Sequence, residues 1–204
     1  KRHDQGCGSG SGNRGYAAWL SGAGILYCAA GERADAAVQP DAAAVRDLRA
    51  SGLGCGGCHG QLDHPDCLVA KALAAGYAMA LPDGTGTRPL RNLRTWNGGG
   101  GIEELQCVSG AACRSGVDDM AYLDKVHETI EALLPVDATR VYATGLSNGA
   151  AITYRYACER PNRLAAIAPV GGTNQFAAAG GECPGGVAVL QVHGTEDPCW
   201  TFDS

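Results

Sequence analysis

Arg140-Val141-Tyr142-Ala143-Thr144, then Gly145-Leu146-Ser147-Asn148-Gly149, then Ala150-Ala151-Ile152-Thr153-Tyr154-Arg155-Tyr156-Ala157 read as strand, tight turn and helix. A serine on such a turn is pushed out of the sheet, because the backbone there takes conformations that crowd a Cβ. Glycines at 145 and 149 relieve that crowding against the neighbouring strand and helix. The Ser147 hydroxyl is then presented for attack on an acyl carbon. The helix behind it aims its first N–H groups at the same spot, so the amide of Asn148 is the expected donor to an oxyanion. A chain with 31 glycines also yields Gly-x-Ser-x-Gly by chance, and it is the flanking strand and helix that favour the functional reading.

Outward from this turn the chain reads as alternating helices and strands. Upstream, Cys67–Ala75 is expected as a helix closed by Gly76, and Tyr77–Leu81 as a strand stopped by Pro82-Asp83-Gly84. Thr85–Gly116 reads as a long polar loop. Met120, Leu123, Val126, Ile130, Leu133 and Leu134 recur at helical spacing after an acidic start at Asp118-Asp119, and Pro135 ends that helix. Downstream, Leu164–Val170 and Val187–His193 are near-continuous apolar runs, expected as strands buried on both faces. The pattern predicts an α/β fold, a mainly parallel sheet with helices on both faces.

The core so defined runs over 59–204. Residues 1–58 differ, being rich in Gly, Ala, Arg and Ser, with Tyr16–Leu20 and Gly24–Cys28 as their apolar runs and a weak helix expected over Asp41–Ala50. Either a surface segment or an out-of-frame reading of GC-rich DNA gives such a composition.

A net charge of −5 and a pI near 5.5 leave no basic stripe for a nucleic acid, and no apolar run approaches the length of a membrane span. Ten cysteines point to an oxidising compartment, secreted or periplasmic. The competing zinc reading of Cys55-Gly56-Gly57-Cys58-His59 lacks a second Cys/His pair at ribbon spacing, so no metal is expected. Cys107 and Cys113 bracket a short loop that a disulfide would close.

In a parallel sheet, active groups gather on loops that leave the C-terminal ends of strands. Gly194-Thr195-Glu196-Asp197 follows the expected strand Val187–His193, and Asp197 is the candidate acid, with Glu196 competing. The order Ser, Asp, His then calls for a histidine after Asp197. The five present are His3, His59, His64, His127 and His193. His127 reads as packed within its helix and His193 as a support for the Asp197 loop, so the general base is expected beyond Ser204, on a fold incomplete at its C-terminus.

From Gly76 to Phe202 the sequence resembles the polyhydroxybutyrate depolymerase and feruloyl-esterase-like branch of the α/β-hydrolases, secreted esterases with a Ser-Asp-His triad. The matching strings, in order, include Tyr77–Gly84, Trp96-Asn97, Val117–Leu123, Arg140-Val141-Tyr142, Gly145–Gly149, Ala157-Cys158, Ala165–Gly172 and His193–Asp197. The resemblance implies Ser147 as nucleophile and Asp197 as acid. It also implies a second oxyanion N–H from the residue after a His-Gly pair, here Gln61 in His59-Gly60-Gln61, although Ala50–Cys58 departs from the apolar strand that the family has before it. A Cys158–Cys183 disulfide is likewise implied by the resemblance.

The expected activity is carboxylic ester hydrolysis through an acyl-serine, on a polyhydroxyalkanoate, feruloyl or short-chain ester, without metal or organic cofactor. Very low turnover is expected of a triad whose base is missing. Trp96 is a candidate for lining the acyl or aryl pocket, a buried structural role being its alternative. A serine peptidase, or a non-catalytic binding module or remnant of the same fold, are the rival readings.

Overall fold

The structure, a computed structural model, describes residues 23–29, 68–86, 94–99, 110–197, 200 and 202. The expected helix at Asp41–Ala50, the His59-Gly60-Gln61 string and Cys107 lie outside the described residues.

The strands are β1 (Ala23–Ala29), β2 (Tyr77–Ala80), β3 (Thr85–Gly86), β4 (Arg94–Thr95), β5 (Val136–Leu146), β6 (Ala166–Val170) and β7 (Ala188–Val189). The helices are α1 (Leu68–Ala74), α2 (Gly110–Arg114), α3 (Asp119–Leu133), α4 (Asn148–Glu159) and α5 (Gln175–Ala178). The main sheet has the order β2-β1-β5-β6-β7, and β3 and β4 form a separate antiparallel pair.

β5, β6 and β7 are parallel, with Tyr142 opposite Ala166 and Ile167 opposite Val189. β1 runs antiparallel to both β2 and β5. The sheet is therefore mixed at its centre, where the alternation of helices and strands predicts a parallel order. The apolar run Gly24–Cys28, the least polar in its region, is what fills that slot.

Local chemistry accounts for the element ends. Gly76, at φ 81°, closes α1 in the left-handed conformation that glycine adopts at low cost. The Asp118 carboxylate caps α3 by accepting the Ala121 N–H at 3.0 Å, and the extended Leu134 precedes Pro135. Val141, Ala143 and Gly145 of β5 are buried, alternating with half-buried Tyr142, Thr144 and Leu146. The core joins Val141 and Ala143 to Met120, Leu123 and Ile130 of α3, Ile152 and Tyr156 of α4, Ile167 of β6 and Trp96.

Two expectations need correction. The Thr85–Gly116 stretch is not wholly loop, since it contains the β3–β4 pair and α2. Val187–His193 is not a strand buried on both faces: the ladder covers Ala188 and Val189, one further bridge joins Val170 to Val192, and Val189, Leu190 and Val192 are more than half exposed. Among the described elements β7 pairs with β6 alone, so it is an edge strand, and an apolar run does not by itself supply a layer to cover it. Among the described residues no helix is long and apolar enough to cross a membrane.

Candidate functional site

The turn from β5 to α4 is as tight as its glycines suggest. Ser147 has φ 55° and ψ −115°, and is the non-glycine residue with positive φ among those described. Such a conformation costs on the order of 1–3 kcal/mol and persists only where the surroundings enforce it. Here they do: Ser147 N–H donates to the Val170 carbonyl at 2.8 Å, and the Ser147 carbonyl accepts from the amides of Ala150 and Ala151. A Cβ at Gly145 would lie 2.2 Å from the Gly149 carbonyl oxygen, and one at Gly172 would lie 2.5 Å from that of Ser147. Strand, turn and helix can therefore meet only with glycine at these positions. The Ser147 side chain makes no capping bond to α4, which leaves its hydroxyl outside the helix's own bonding.

Asn148, the first residue of α4, is buried, and its side chain bonds to a segment 52 residues upstream. Its Oδ1 accepts the Trp96 N–H at 2.5 Å and its Nδ2 donates to the Trp96 carbonyl at 3.1 Å. The amide thus clamps the Trp96 backbone against the elbow. An amide next to the serine, able to donate and accept at once, is the signal in the sequence that carries this.

The segment after Trp96 is held as firmly. The Asp119 carboxylate accepts the Asn97 N–H at 2.6 Å, Asn97 Nδ2 donates to the Val117 carbonyl, and Arg155 Nη1 donates to the Asn97 carbonyl at 2.8 Å. Burial pushes the Asp119 carboxyl up, against the pull of the Asn97 N–H and the Arg155 charge. Trp96 itself is 0 % exposed and stacks on Tyr122 with ring centroids 6.2 Å apart.

Asp197 is brought to the same end of the sheet. Gly171, directly after the Val170 that receives the Ser147 N–H, donates its own N–H to the Val192 carbonyl at 2.8 Å. A Cβ at Gly171 would sit 3.7 Å from Leu146 Cδ1 and 3.8 Å from Asp197 Oδ2. The turns at 146–148, 171–172 and 194–197 therefore adjoin, with the Asp197 carboxylate facing the middle one. Asp197 Oδ1 accepts the Trp200 N–H at 3.0 Å, and the neighbouring Glu196 is exposed.

Of the histidines, His127 and His193 are among the described residues. His127 lies buried on α3 with Nε2 3.3 Å from Glu131, and burial pushes its pKa down. The His193 side chain is buried beside Asp197. Cys158 is bonded to Cys183, tying the end of α4 to the loop before β7. Cys113 is also disulfide-bonded, while its expected partner Cys107 lies outside the described residues. Among the described residues no group of three or more His, Cys, Asp and Glu side chains is disposed to hold a metal ion.

No protein-family model matches the chain. It is 35% identical over 86 residues to a probable feruloyl esterase C of Aspergillus niger, a match covering 42% of this chain and 31% of that protein. It is 34% identical over 89 residues to feruloyl esterase D of Neurospora crassa, covering 44% of this chain and 30% of the relative. A bifunctional acetylxylan esterase/xylanase of Neocallimastix patriciarum is 33% identical over 82 residues, 40% of this chain and 12% of the relative. These matches relate the chain to an esterase-like family. The chain spans about a third, or less, of the length of the curated relatives it matches.

Proposed function

We propose that this chain carries an α/β-hydrolase core of a secreted carboxylic ester hydrolase, with Ser147 as nucleophile and Asp197 as triad acid. The observation that carries the reading is the left-handed φ of Ser147 on the strand-to-helix turn, with the Asp197 carboxylate at the adjoining turn. Feruloyl and acetylxylan esterases among the relatives support the reaction class.

Ser147 Oγ attacks the ester carbonyl carbon while its proton passes to an imidazole, and the alcohol leaves with that proton. Water then splits the acyl-serine and releases the acid. The Asn148 N–H, at the start of α4, is one donor to the oxyanion, and that of Gln61 is the second. Asp197 orients the imidazole and offsets the charge it acquires. His127 is held against Glu131 and His193 within the Asp197 loop, so the reading draws its base from an imidazole outside the described residues.

Complete burial of Trp96 supports a structural role, with its backbone as the wall that keeps Asn148 in place. The substrate class favoured by the relatives is a feruloyl or acetyl ester of a polysaccharide, with polyhydroxyalkanoates as the alternative. The Cys158–Cys183 bond supports an oxidising, extracellular location.

The test is hydrolysis of 4-nitrophenyl acetate and methyl ferulate by the full chain. Slow turnover is expected, at least about tenfold above that of Ser147→Ala, and Asp197→Ala is expected to fall with it, because the acid acts on the serine through the imidazole. Equal rates from folded wild type and both variants would favour a non-catalytic binding role for this fold.

A further inference from the structure

His193 and Gln191 stand two residues apart on the extended segment that follows β7, a spacing that puts both side chains on one face. The His193 imidazole is 1% exposed, yet both ring nitrogens have partners. Nε2 lies 2.6 Å from the Trp200 carbonyl oxygen, and Nδ1 lies 3.2 Å from Gln191 Nε2. The same Nε2 is 3.6 Å from Asp197 Oδ2, beyond hydrogen-bond range. A carbonyl can only accept, so Nε2 carries the proton, and Nδ1 is left to accept from the Gln191 amide. That orientation of the amide turns Gln191 Oε1 to the Tyr154 hydroxyl, which donates to it at 2.7 Å. At the other end, the Trp200 N–H donates to Asp197 Oδ1 at 3.0 Å.

We propose that His193, held as the neutral Nε2–H tautomer, is a positioning residue for Asp197 in a hydrogen-bond chain that starts at Tyr154 on α4. The donors run in one direction throughout, from Tyr154 to Gln191 to His193 to the Trp200 carbonyl, while the Trp200 N–H completes the link to the carboxylate. Because α4 begins directly after Ser147, nucleophile and acid hang from one rigid element through this chain. With both nitrogens engaged, this imidazole is also unavailable to take the Ser147 proton. The role as a support for a triad acid rests on the reading of Asp197 given above, whereas the tautomer and the bonds do not.

The full chain, labelled with nitrogen-15 in the histidine rings, tests this by long-range proton–nitrogen correlation at pH 7 and by exchange of the Trp200 amide. His193 is expected as the neutral Nε2–H form. His193→Leu is expected to speed Trp200 amide exchange about tenfold or more, the scale of one lost hydrogen bond. His193→Gln, whose own Nε2–H reaches the same carbonyl, is expected to keep the exchange within about twofold of wild type. An Nδ1–H tautomer, an imidazolium at pH 7, or no loss of protection in folded His193→Leu overturns the proposal. If His193→Leu does not fold, the wild-type tautomer and the His193→Gln exchange rate decide it. None of these readouts needs a reactive Ser147, and Ser147→Ala should leave them unchanged. An inert Ser147 beside an intact His193 signature would count against ester hydrolysis and not against the hydrogen-bond chain.

Discussion

At the scale of single residues the site is built from conformations and bonds that only particular side chains permit. Ser147 is held at φ 55°, where a Cβ is crowded, so the residue that would do the chemistry is also a local cost to stability. Ser147→Gly removes the Cβ and is expected to raise unfolding stability by about 1 kcal/mol, after the extra chain entropy that glycine loses. Ser147→Ala keeps the Cβ and should be nearly neutral. Urea denaturation of the three proteins separates these outcomes, and equal stability of the glycine and alanine variants would mean that the turn stores no strain. The serine and its glycines were legible in the sequence because the turn leaves a fixed spacing. The clamp of Asn148 on Trp96 is legible only at one end, as an amide beside the serine, since its partner lies 52 residues away and gives no periodic signal.

At the scale of elements, the approach of α4 to β5 sets the site. A Cβ at Gly145 would meet backbone atoms of Gly149 at 2.2 and 2.3 Å, which no rotamer change can relieve. Gly145→Ala must push α4 away from β5, and an expected loss of at least about 2 kcal/mol follows, as for overpacking with backbone displacement. Loss of Ser147 reactivity should accompany it, while a change below 0.5 kcal/mol in a urea melt would contradict the packing described, since that is about the range of surface substitutions. Helices α1, α3 and α4 and strands β2, β5 and β6 follow from periodicity and their capping residues, with ends displaced by a few positions. The strand β1 escaped that logic, because which run fills the slot between β2 and β5 depends on long-range pairing. The run Val187–His193 misled for the converse reason. Apolar composition reports a tendency to be buried, whereas the cover must come from another element.

At the scale of the whole molecule, titration links stability to pH. Burial pushes the His127 pKa down, so the unfolded chain takes up a proton below about pH 6.5 that the folded chain resists. For Asp124 burial pulls upward, but the Arg160 guanidinium, bonded to it at 2.7 and 2.9 Å, prevails and holds the carboxyl below its ordinary value. Its stabilising contribution is present above about pH 4 and is lost as pH falls through the folded pKa. Asp119, raised by burial, works in the opposite sense, costing stability as pH rises above about 4. Urea midpoints are therefore expected to fall from pH 7 to pH 3, and Asp124→Asn, weaker at pH 7, should approach wild type at pH 3. A constant gap between the two proteins would exclude the Arg160 pairing as its source. The Asp197 loop, the Ser147 turn and the Trp96 segment are all tied to one sheet and one helix. The most direct measurement is reaction of the folded chain with a fluorophosphonate probe, followed by mass spectrometry of its peptides. A slow, single-site adduct on Ser147, absent from Ser147→Ala and reduced in Asp197→Ala, is predicted; a folded chain left unlabelled, or labelled at another residue, would contradict the assignment of Ser147 as nucleophile.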